Sequence, residues 1–257
     1  MKFDFSDKNV LITGANRGIG LGVAEAFLDA GANLTIVALE DDVSSVAASL
    51  SQQYQTTVSG LQCDISDYEQ VAAMAESAGS VDILINNAGL EYITPITDTS
   101  ENVDDVFRKI IEINIIGTFS VTRRLLPKMP DGGRIVNTAS MWGKTAVAEF
   151  SAYCASKHAV IGLTRSLAQE LAPRRISVNA VCPGWVRTLA SMRSLSYMAA
   201  RQQRTEADLL DEIVSAQALE GLMEPSDMAA MYLFLSGPAA SNITGQSYTV
   251  DRGELMQ

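Results

Sequence analysis

The chain has 257 residues, of which 47% are hydrophobic and 19% are charged, a balance typical of a globular protein with a large core. Its formal net charge of −11 argues against a broad surface for nucleic acid or for an anionic membrane. No run of 18 apolar residues occurs and residues 1–5 lack a signal-peptide core, so we expect a cytoplasmic protein.

Short apolar segments alternate with helix-like segments along most of the chain. Strands are predicted at residues 10–12, 34–38, 58–63, 81–85, 134–137, 177–182 and 248–250. Strands that alternate with helices are joined by right-handed crossovers into a parallel sheet covered on both faces. The sequence therefore predicts an α/β fold, a single doubly wound Rossmann-type domain over residues 1–257, with about seven parallel strands and helices on both faces.

One segment interrupts this alternation. Residues 189–225 follow the sixth predicted strand and are rich in Met, Ser, Arg and Gln. A long insertion at the end of a strand is often an active-site cover. We predict a helical substrate lid over residues 189–225.

A glycine-rich turn follows the first predicted strand and opens the first predicted helix. It contains Gly14, Gly18 and Gly20 after Thr13. Glycine lets the backbone turn sharply and approach a pyrophosphate, whose charge is favoured at a helix N-terminus. A tight turn alone also needs glycine, so this pattern by itself leaves a purely structural role open.

The chemistry is indicated by Tyr153 and Lys157, thirteen and seventeen residues after Ser140. Residues four apart lie on one face of a helix, about one turn from each other. A neighbouring ammonium group favours the phenolate, so we expect Lys157 to lower the pKa of Tyr153. Such a phenol exchanges a proton while an alcohol and a carbonyl interconvert. With the glycine turn, this predicts an oxidoreductase that uses a dinucleotide.

Six motifs follow one another along the chain: the glycine turn at 13–20, residues 86–89 (Asn-Asn-Ala-Gly), Asn114, Ser140, the Tyr153–Lys157 pair and Pro183-Gly184. This order is that of short-chain dehydrogenases/reductases, which the chain resembles over nearly its whole length. The resemblance implies that Tyr153 is the general acid/base, that Lys157 lowers its pKa and holds the ribose, that Ser140 binds the substrate oxygen, and that Asn114 fixes a water that relays protons. It also implies a cofactor site formed by Gly14, Asn16, Arg17, Gly18, Ile19, Gly20, Leu39, Asp64, Ile65, Asn87, Ala88, Gly89, Tyr153, Lys157, Pro183, Gly184, Val186 and Thr188.

The choice between NAD and NADP depends on charge at the end of the second strand. The family commonly has an aspartate there, whereas this chain has Ala38 followed by Glu40, Asp41 and Asp42. Three carboxylates repel a 2′-phosphate, but a basic residue in the glycine turn such as Arg17 can bind one. We favour NAD over NADP at about two to one, a weighting of charge complementarity.

The substrate pocket is less well determined. Residues 87–92, 181–188 and 212–224 resemble bacterial D-3-hydroxybutyrate dehydrogenases, which use NAD and hold a carboxylate with glutamine, histidine and lysine. This chain has Glu91, Trp142 and Phe150 at the corresponding positions, and Met192 in the lid. A carboxylate beside Glu91 is repelled, which predicts a neutral, bulkier alcohol. Core packing of the apolar residues and rescue of an acid by Arg193 remain alternatives.

Two other functions stay open. One is a 3-oxoacyl-thioester reductase, which would favour NADPH and a basic docking patch; the other is a non-catalytic dinucleotide-binding redox sensor, which would lack Tyr153 or Lys157. No metal site is predicted, since Cys63, Cys154 and Cys182 are widely spaced and His158 is the single histidine. The resemblance implies a homotetramer, and the expected partner is a small-molecule alcohol or ketone.

Overall fold

A computed structural model describes residues 3–256, so the ends of the predicted domain, residues 1–2 and 257, lie outside the described residues. Seven parallel strands form one sheet in the order β3-β2-β1-β4-β5-β6-β7. They are β1 (Asn9–Thr13), β2 (Asn33–Ala38), β3 (Val58–Gln62), β4 (Ile83–Asn86), β5 (Arg134–Thr138), β6 (Ser177–Pro183) and β7 (Ser247–Val250). The predicted fold class is confirmed, and strand boundaries differ from the prediction by at most two residues.

Helices cover both faces of the sheet, as a parallel sheet requires. They are α1 (Gly18–Asp29), α2 (Val43–Tyr54), α3 (Tyr68–Ser77), α4 (Glu101–Ile111), α5 (Thr118–Leu125), α6 (Ser151–Glu170), α7 (Leu189–Gln202), α8 (Glu206–Ser215) and α9 (Pro225–Ser236). Helices α1, α2 and α9 enclose one apolar core with the sheet. Helices α3, α5 and α6 enclose a second core on the opposite face.

The direction in which strands are added to the sheet reverses between β1 and β4. From β1, strands β2 and β3 extend the sheet to one side, whereas β4 pairs with the other side of β1 and is followed by β5, β6 and β7. Crevices at such a point, outside the carboxyl ends of the strands, are where open α/β sheets bind ligands. The loops that follow β1, β4, β5 and β6 therefore meet at one edge. Those loops hold most of the residues singled out in the sequence.

The segment after β6 contains two helices rather than continuing the alternation. Helix α7 begins at Leu189, where the lid was predicted to begin, and α8 is followed by a loop that leads to α9. Pro225, the predicted last residue of the lid, is instead the first residue of α9. A bridge between Val186 and Met223 joins the two ends of this excursion, so its base is fixed to the sheet edge.

Candidate active site

The turn between β1 and α1 brings two backbones into close approach. Gly14 has a φ of +63°, and a Cβ built on it would lie 2.8 Å from the Cα of Ala88. A Cβ built on Gly20 would lie 2.1 Å from the carbonyl oxygen of Gly14. Only glycine fits these two positions. The first turn of α1 receives no side-chain cap from Arg17, which leaves its backbone N–H groups available to an anion.

Thr13 and Asn87 join this turn to the loop after β4. The Thr13 hydroxyl accepts hydrogen bonds from the backbone N–H groups of Asn87 and Ala88, both at 3.1 Å. The Asn87 amide donates to the carbonyl oxygens of Gly14 at 2.9 Å and Thr13 at 3.2 Å. The two loops are separated by more than seventy residues in sequence, and these bonds fix their distance in space. Together they form one rigid wall of the crevice.

At the other end of the crevice, the charges near β2 are paired with each other. Arg17 forms an ion pair with Glu40. The Asn16 amide donates to Asp42 at 2.8 Å and to Glu40 at 3.2 Å. The sequence interpretation treated Arg17 and the carboxylates as opposing influences, whereas the fold makes them a single network. Glu40, which the sequence indicated as one of three carboxylates that disfavour a 2′-phosphate, lines the cavity at this end.

A cavity of about 550 Å³ extends from this network to the end of β5. It is lined by every predicted cofactor residue except Gly20, which lies behind Gly14: Gly14, Asn16, Arg17, Gly18, Ile19, Leu39, Asp64, Ile65, Asn87, Ala88, Gly89, Tyr153, Lys157, Pro183, Gly184, Val186 and Thr188. A glycine cradle at a helix N-terminus, continuous with a long crevice, fits a dinucleotide.

Ser140, Tyr153 and Lys157 meet in the same cavity. Ser140 follows β5, and its hydroxyl accepts a hydrogen bond from the backbone N–H of Trp142 at 3.1 Å. Lys157 is buried on α6, and its Nζ donates to the carbonyl oxygen of Thr138 at 2.8 Å. The same Nζ lies 5.5 Å from the centre of the Tyr153 ring. The helical spacing of Tyr and Lys therefore places both groups as the sequence predicted.

Asn114 lies behind the cavity, in a π-helical turn (Glu112–Gly117) between α4 and α5. Its Oδ1 accepts from the backbone N–H of Leu90 at 2.7 Å, and its Nδ2 donates to the carbonyl oxygen of Leu90 at 2.9 Å. Nδ2 also donates to the Ser156 hydroxyl at 2.9 Å. These bonds engage both hydrogens of the amide. In the structure, Asn114 positions the loop after β4 against α6.

The electrostatics of Tyr153 differ from the prediction. Removal from water raises the pKa of the Tyr153 phenol, and the Glu91 carboxylate raises it further, while a hydrogen bond with Ser140 lowers it. Burial also lowers the pKa of Lys157 to about 8. The expected lowering by Lys157 is wrong for the chain alone, because the cost of desolvating the phenolate is larger and the ammonium is directed to Thr138.

Glu91 is an acidic residue in the same cavity as Ser140, Tyr153 and Lys157. It lines the cavity, and its Oε1 accepts a hydrogen bond from the Ser194 hydroxyl on α7. Arg193 donates from Nη2 to the Glu91 carbonyl oxygen at 2.7 Å and stacks on the Tyr92 ring with its Cζ 4.1 Å from the ring centre. Burial raises the pKa of Glu91. Ser194 was not identified from the sequence, since no motif marks it.

An aromatic cluster forms one wall of the cavity. Trp142 packs against Phe150, Trp185 and Tyr153, with ring centres 5.1, 5.9 and 6.0 Å apart respectively. Trp142 and Trp185 line the cavity. Phe150 is fully buried and Met192 packs against this cluster, and neither lines the cavity. Phe150 supports the wall from behind, so its predicted contact with substrate is corrected to core packing. Met192 is only partly buried against the cluster, and its contact with substrate stays a prediction.

Neither a metal-binding cluster nor a membrane-spanning helix is found in the described part of the chain. Residues 3–256 contain no group of three or more His, Cys, Asp or Glu side chains that could hold a metal ion. No helix within the same residues is sufficiently long and apolar to cross a membrane.

Comparisons with known proteins show which proteins this chain resembles in sequence and fold. The family model described as enoyl-(acyl carrier protein) reductase matches residues 14–254. The chain is 34% identical to D-beta-hydroxybutyrate dehydrogenase of Cupriavidus necator, over 97% of this chain and 98% of that protein. L-sorbose reductase from Gluconobacter frateurii, solved with NADPH and L-sorbose, has a TM-score of 0.90 at 27% identity over 100% of both chains. A xylitol dehydrogenase bound to NAD+ has the same TM-score and identity, over 98% of this chain and 100% of that one.

Proposed function

This chain belongs to the short-chain dehydrogenase/reductase family and is an NAD(P)-dependent oxidoreductase acting on the CH–OH group, and we propose that it interconverts a neutral secondary alcohol and its ketone with NAD in preference to NADP. The observation that carries this proposal is the meeting of Ser140, Tyr153 and Lys157 in one cavity that continues to the glycine turn. The proton donor Tyr153 and the proposed dinucleotide site at the glycine turn therefore line the same cavity.

In the proposed mechanism, the Tyr153 phenol gives its proton to the carbonyl oxygen during reduction, and in oxidation the Tyr153 phenolate takes the proton of the alcohol hydroxyl and becomes the phenol again. Ser140 donates a hydrogen bond to the same oxygen as charge develops there. Lys157 holds positive charge beside the phenolate that remains, 5.5 Å from the ring centre. When bound, the dinucleotide supplies or accepts the hydride. Asn114 keeps the loop after β4 in place against α6.

The preference for NAD is supported by the network near β2. Arg17 is already paired with Glu40, and the Asn16 amide is shared by Glu40 and Asp42. A 2′-phosphate brought to this end of the crevice would meet carboxylates, and the guanidinium that could bind it is occupied. We expect NAD to exceed NADP in kcat/KM by at least about tenfold, equivalent to about 1.4 kcal/mol.

The first experiment is a panel of secondary alcohols and ketones read by NADH and NADPH absorbance. We expect turnover with neutral secondary alcohols or their ketones, and lower activity with 3-hydroxybutyrate because Glu91 repels a carboxylate.

Tyr153→Phe removes the proton donor and keeps the ring, so turnover should fall by about two to four orders of magnitude while cofactor binding survives. His158→Gln, on the exposed side of the same helix, is the matched control. Turnover of Tyr153→Phe near that of the control would refute the assigned role of Tyr153.

A second candidate is reduction of an acyl thioester. The description of the matching family model, which refers to acyl carrier protein, favours it. The net charge of −11 does not, since an acidic carrier would be repelled. A 3-oxoacyl thioester assayed with NADPH decides between the two: a kcat/KM above that of every neutral ketone with NADH would favour this candidate. Cofactor binding with no turnover of any substrate would indicate a redox sensor instead.

A further inference from the structure

Glu91 is an ionisable group in the same part of the cavity as Tyr153, and the proton and hydride exchange assigns it no role. It shares the cavity with Ser140, Tyr153 and Lys157. A carboxylate is costly in such a place, because it is removed from water. Burial accordingly raises its pKa. Because desolvation of the Glu91 carboxylate destabilises the free protein, a contact with the substrate is the expected role of this side chain.

The Glu91 side chain is held in one orientation by helix α7. Its Oε1 accepts the Ser194 hydroxyl hydrogen bond, and its backbone carbonyl accepts from Arg193 at 2.7 Å. Ser194 is buried, so this contact is shielded from solvent. Oε2 receives no hydrogen bond from any described residue, and it is not among the buried side-chain atoms that lack a partner, so it keeps some contact with the cavity. One oxygen of a fixed carboxylate is thus open to a ligand in the cavity.

The charges around Glu91 indicate which ligand group it accepts. Lys157 and Arg193 line the same cavity and supply two positive charges. An ammonium group would add a third cation, and a carboxylate would meet Glu91 itself. A hydroxyl group is a neutral donor that satisfies Oε2 without changing this balance.

We infer that Glu91 Oε2 accepts a hydrogen bond from a second hydroxyl of the substrate, near the reacting carbon, and that Ser194 positions the carboxylate for this contact. The inference rests on the proposed function and narrows its substrate class to neutral diols and the corresponding hydroxy ketones. A substrate that lacks the second hydroxyl leaves Oε2 without a donor in a desolvated place, and the enzyme discriminates against it.

Four probes with the same carbon skeleton test this: 2-butanol, 1,3-butanediol, 2,3-butanediol and 3-hydroxybutyrate, each assayed for oxidation at the secondary alcohol. A hydrogen bond to a charged acceptor predicts that the better diol exceeds 2-butanol in kcat/KM by about 10- to 100-fold. The same diol should exceed 3-hydroxybutyrate by at least about tenfold. Because the probes share one skeleton, these ratios isolate the group that faces Glu91.

Variants assign the preference to the carboxylate. Glu91→Ala should reduce the ratio of diol to 2-butanol to within about threefold of one. Glu91→Gln keeps a hydrogen-bonding group without the charge, so it should retain most of the diol preference and raise the activity with 3-hydroxybutyrate. Ser194→Ala should lower the ratio mainly through KM for the diol, and Ser194→Thr should restore it. The matched control is Glu76→Gln, an exposed carboxylate on α3, which should leave every ratio unchanged.

The outcomes separate this inference from the function on which it rests. Turnover of 2-butanol with no diol preference, or a preference that Glu91→Ala leaves intact, overturns the role of Glu91 while the proposed function stands. A preference for 3-hydroxybutyrate that Arg193→Ala abolishes also overturns it, in favour of acid binding by Arg193. No turnover of any alcohol or ketone refutes the proposed function itself.

Discussion

The ion pair between Arg17 and Glu40 offers a sharp test of cofactor choice. We predict that Glu40→Gln shifts the enzyme toward NADP by removing a carboxylate and releasing Arg17 for the 2′-phosphate. Glu40 stands two residues after β2 and lines the crevice. Acidic residues in this region of dinucleotide-binding folds contact the adenosine ribose. The variant therefore changes charge at the place where the two cofactors differ.

The magnitude follows from the charges and their exposure. The exposed fractions of the Arg17 and Glu40 side chains are 52% and 35%, so a water-like dielectric applies. In water, two unit charges about 4 Å apart interact by about 1 kcal/mol. A phosphate monoester carries a charge of about −1.5 to −2, which gives a repulsion of about 1.5–2 kcal/mol. Its removal corresponds to a gain of about 10- to 30-fold in kcat/KM with NADPH.

The same exposure implies that the variant folds normally. An exposed ion pair contributes about 0–1 kcal/mol to stability, so the melting temperature should change little. The control is Asp41→Asn, which removes the same charge from the neighbouring residue, for which no hydrogen bond to Arg17 or Asn16 is found among the described residues. It should raise activity with NADPH by less than about threefold, since a more distant exposed charge is screened.

The assay is the ratio of kcat/KM for NADPH to that for NADH, measured with one ketone. Adding Arg17→Ala to Glu40→Gln should remove most of the gain, because the released guanidinium supplies part of it. An unchanged ratio in Glu40→Gln, or an equal rise in Asp41→Asn, would refute the reasoning. In either case the network near β2 does not determine the choice of cofactor.

Lys157→Ala should lower both kcat and cofactor affinity, since Lys157 lies beside Tyr153 and lines the proposed cofactor site. Steady-state kinetics measures kcat and fluorescence titration measures cofactor affinity, and a change in only one of them would contradict the dual role. Burial raises the pKa of Cys63 and of Cys182 to about 11, so their thiolate fraction at pH 8 is about a hundredth of that of a free thiol. Reaction of the native protein with a disulfide reagent should accordingly be slow and should quicken as the pH rises toward 11, and rapid labelling of three thiols at pH 8 would exclude the described burial. Light scattering at micromolar concentration should give the mass of a tetramer, and a wild-type monomer would rule out the tetramer. If the exposed apolar residues Ile116 and Phe119 lie in the subunit interface, Phe119→Lys should lower the measured mass.

Local patterns were sufficient for the fold and for part of the site. The alternation of apolar strands with helices predicted the parallel sheet, because each element has its own periodicity and the connections are right-handed. The glycines at 14 and 20 marked a close backbone approach, and the structure shows why no side chain fits there. The spacing of Tyr153 and Lys157 placed both on one side of a helix, which is fixed by helical geometry alone.

The properties that depend on surroundings needed the tertiary structure. Phe150 was predicted to face the substrate, and it lies fully buried behind Trp142, because packing decides which side of an aromatic pair meets the cavity. In the chain alone, desolvation raises the pKa of Tyr153, whereas a lowering by Lys157 was predicted, because desolvation depends on how many groups enclose the phenol.

The sequence by itself determined the order of elements, the glycine turn after β1 and the placement of Tyr153 and Lys157 one helical turn apart, because those features depend on residues a few positions apart. The tertiary structure decided what these groups face. Glu91 meets Ser194 across 103 positions of sequence, and Arg17 meets Glu40 across 23. Such pairs leave no periodic signal in the chain, since each is brought together only when the sheet edge and the helices beside it have formed. Charge balance in the cavity, and with it the choice of cofactor and substrate, is therefore a property of the folded chain.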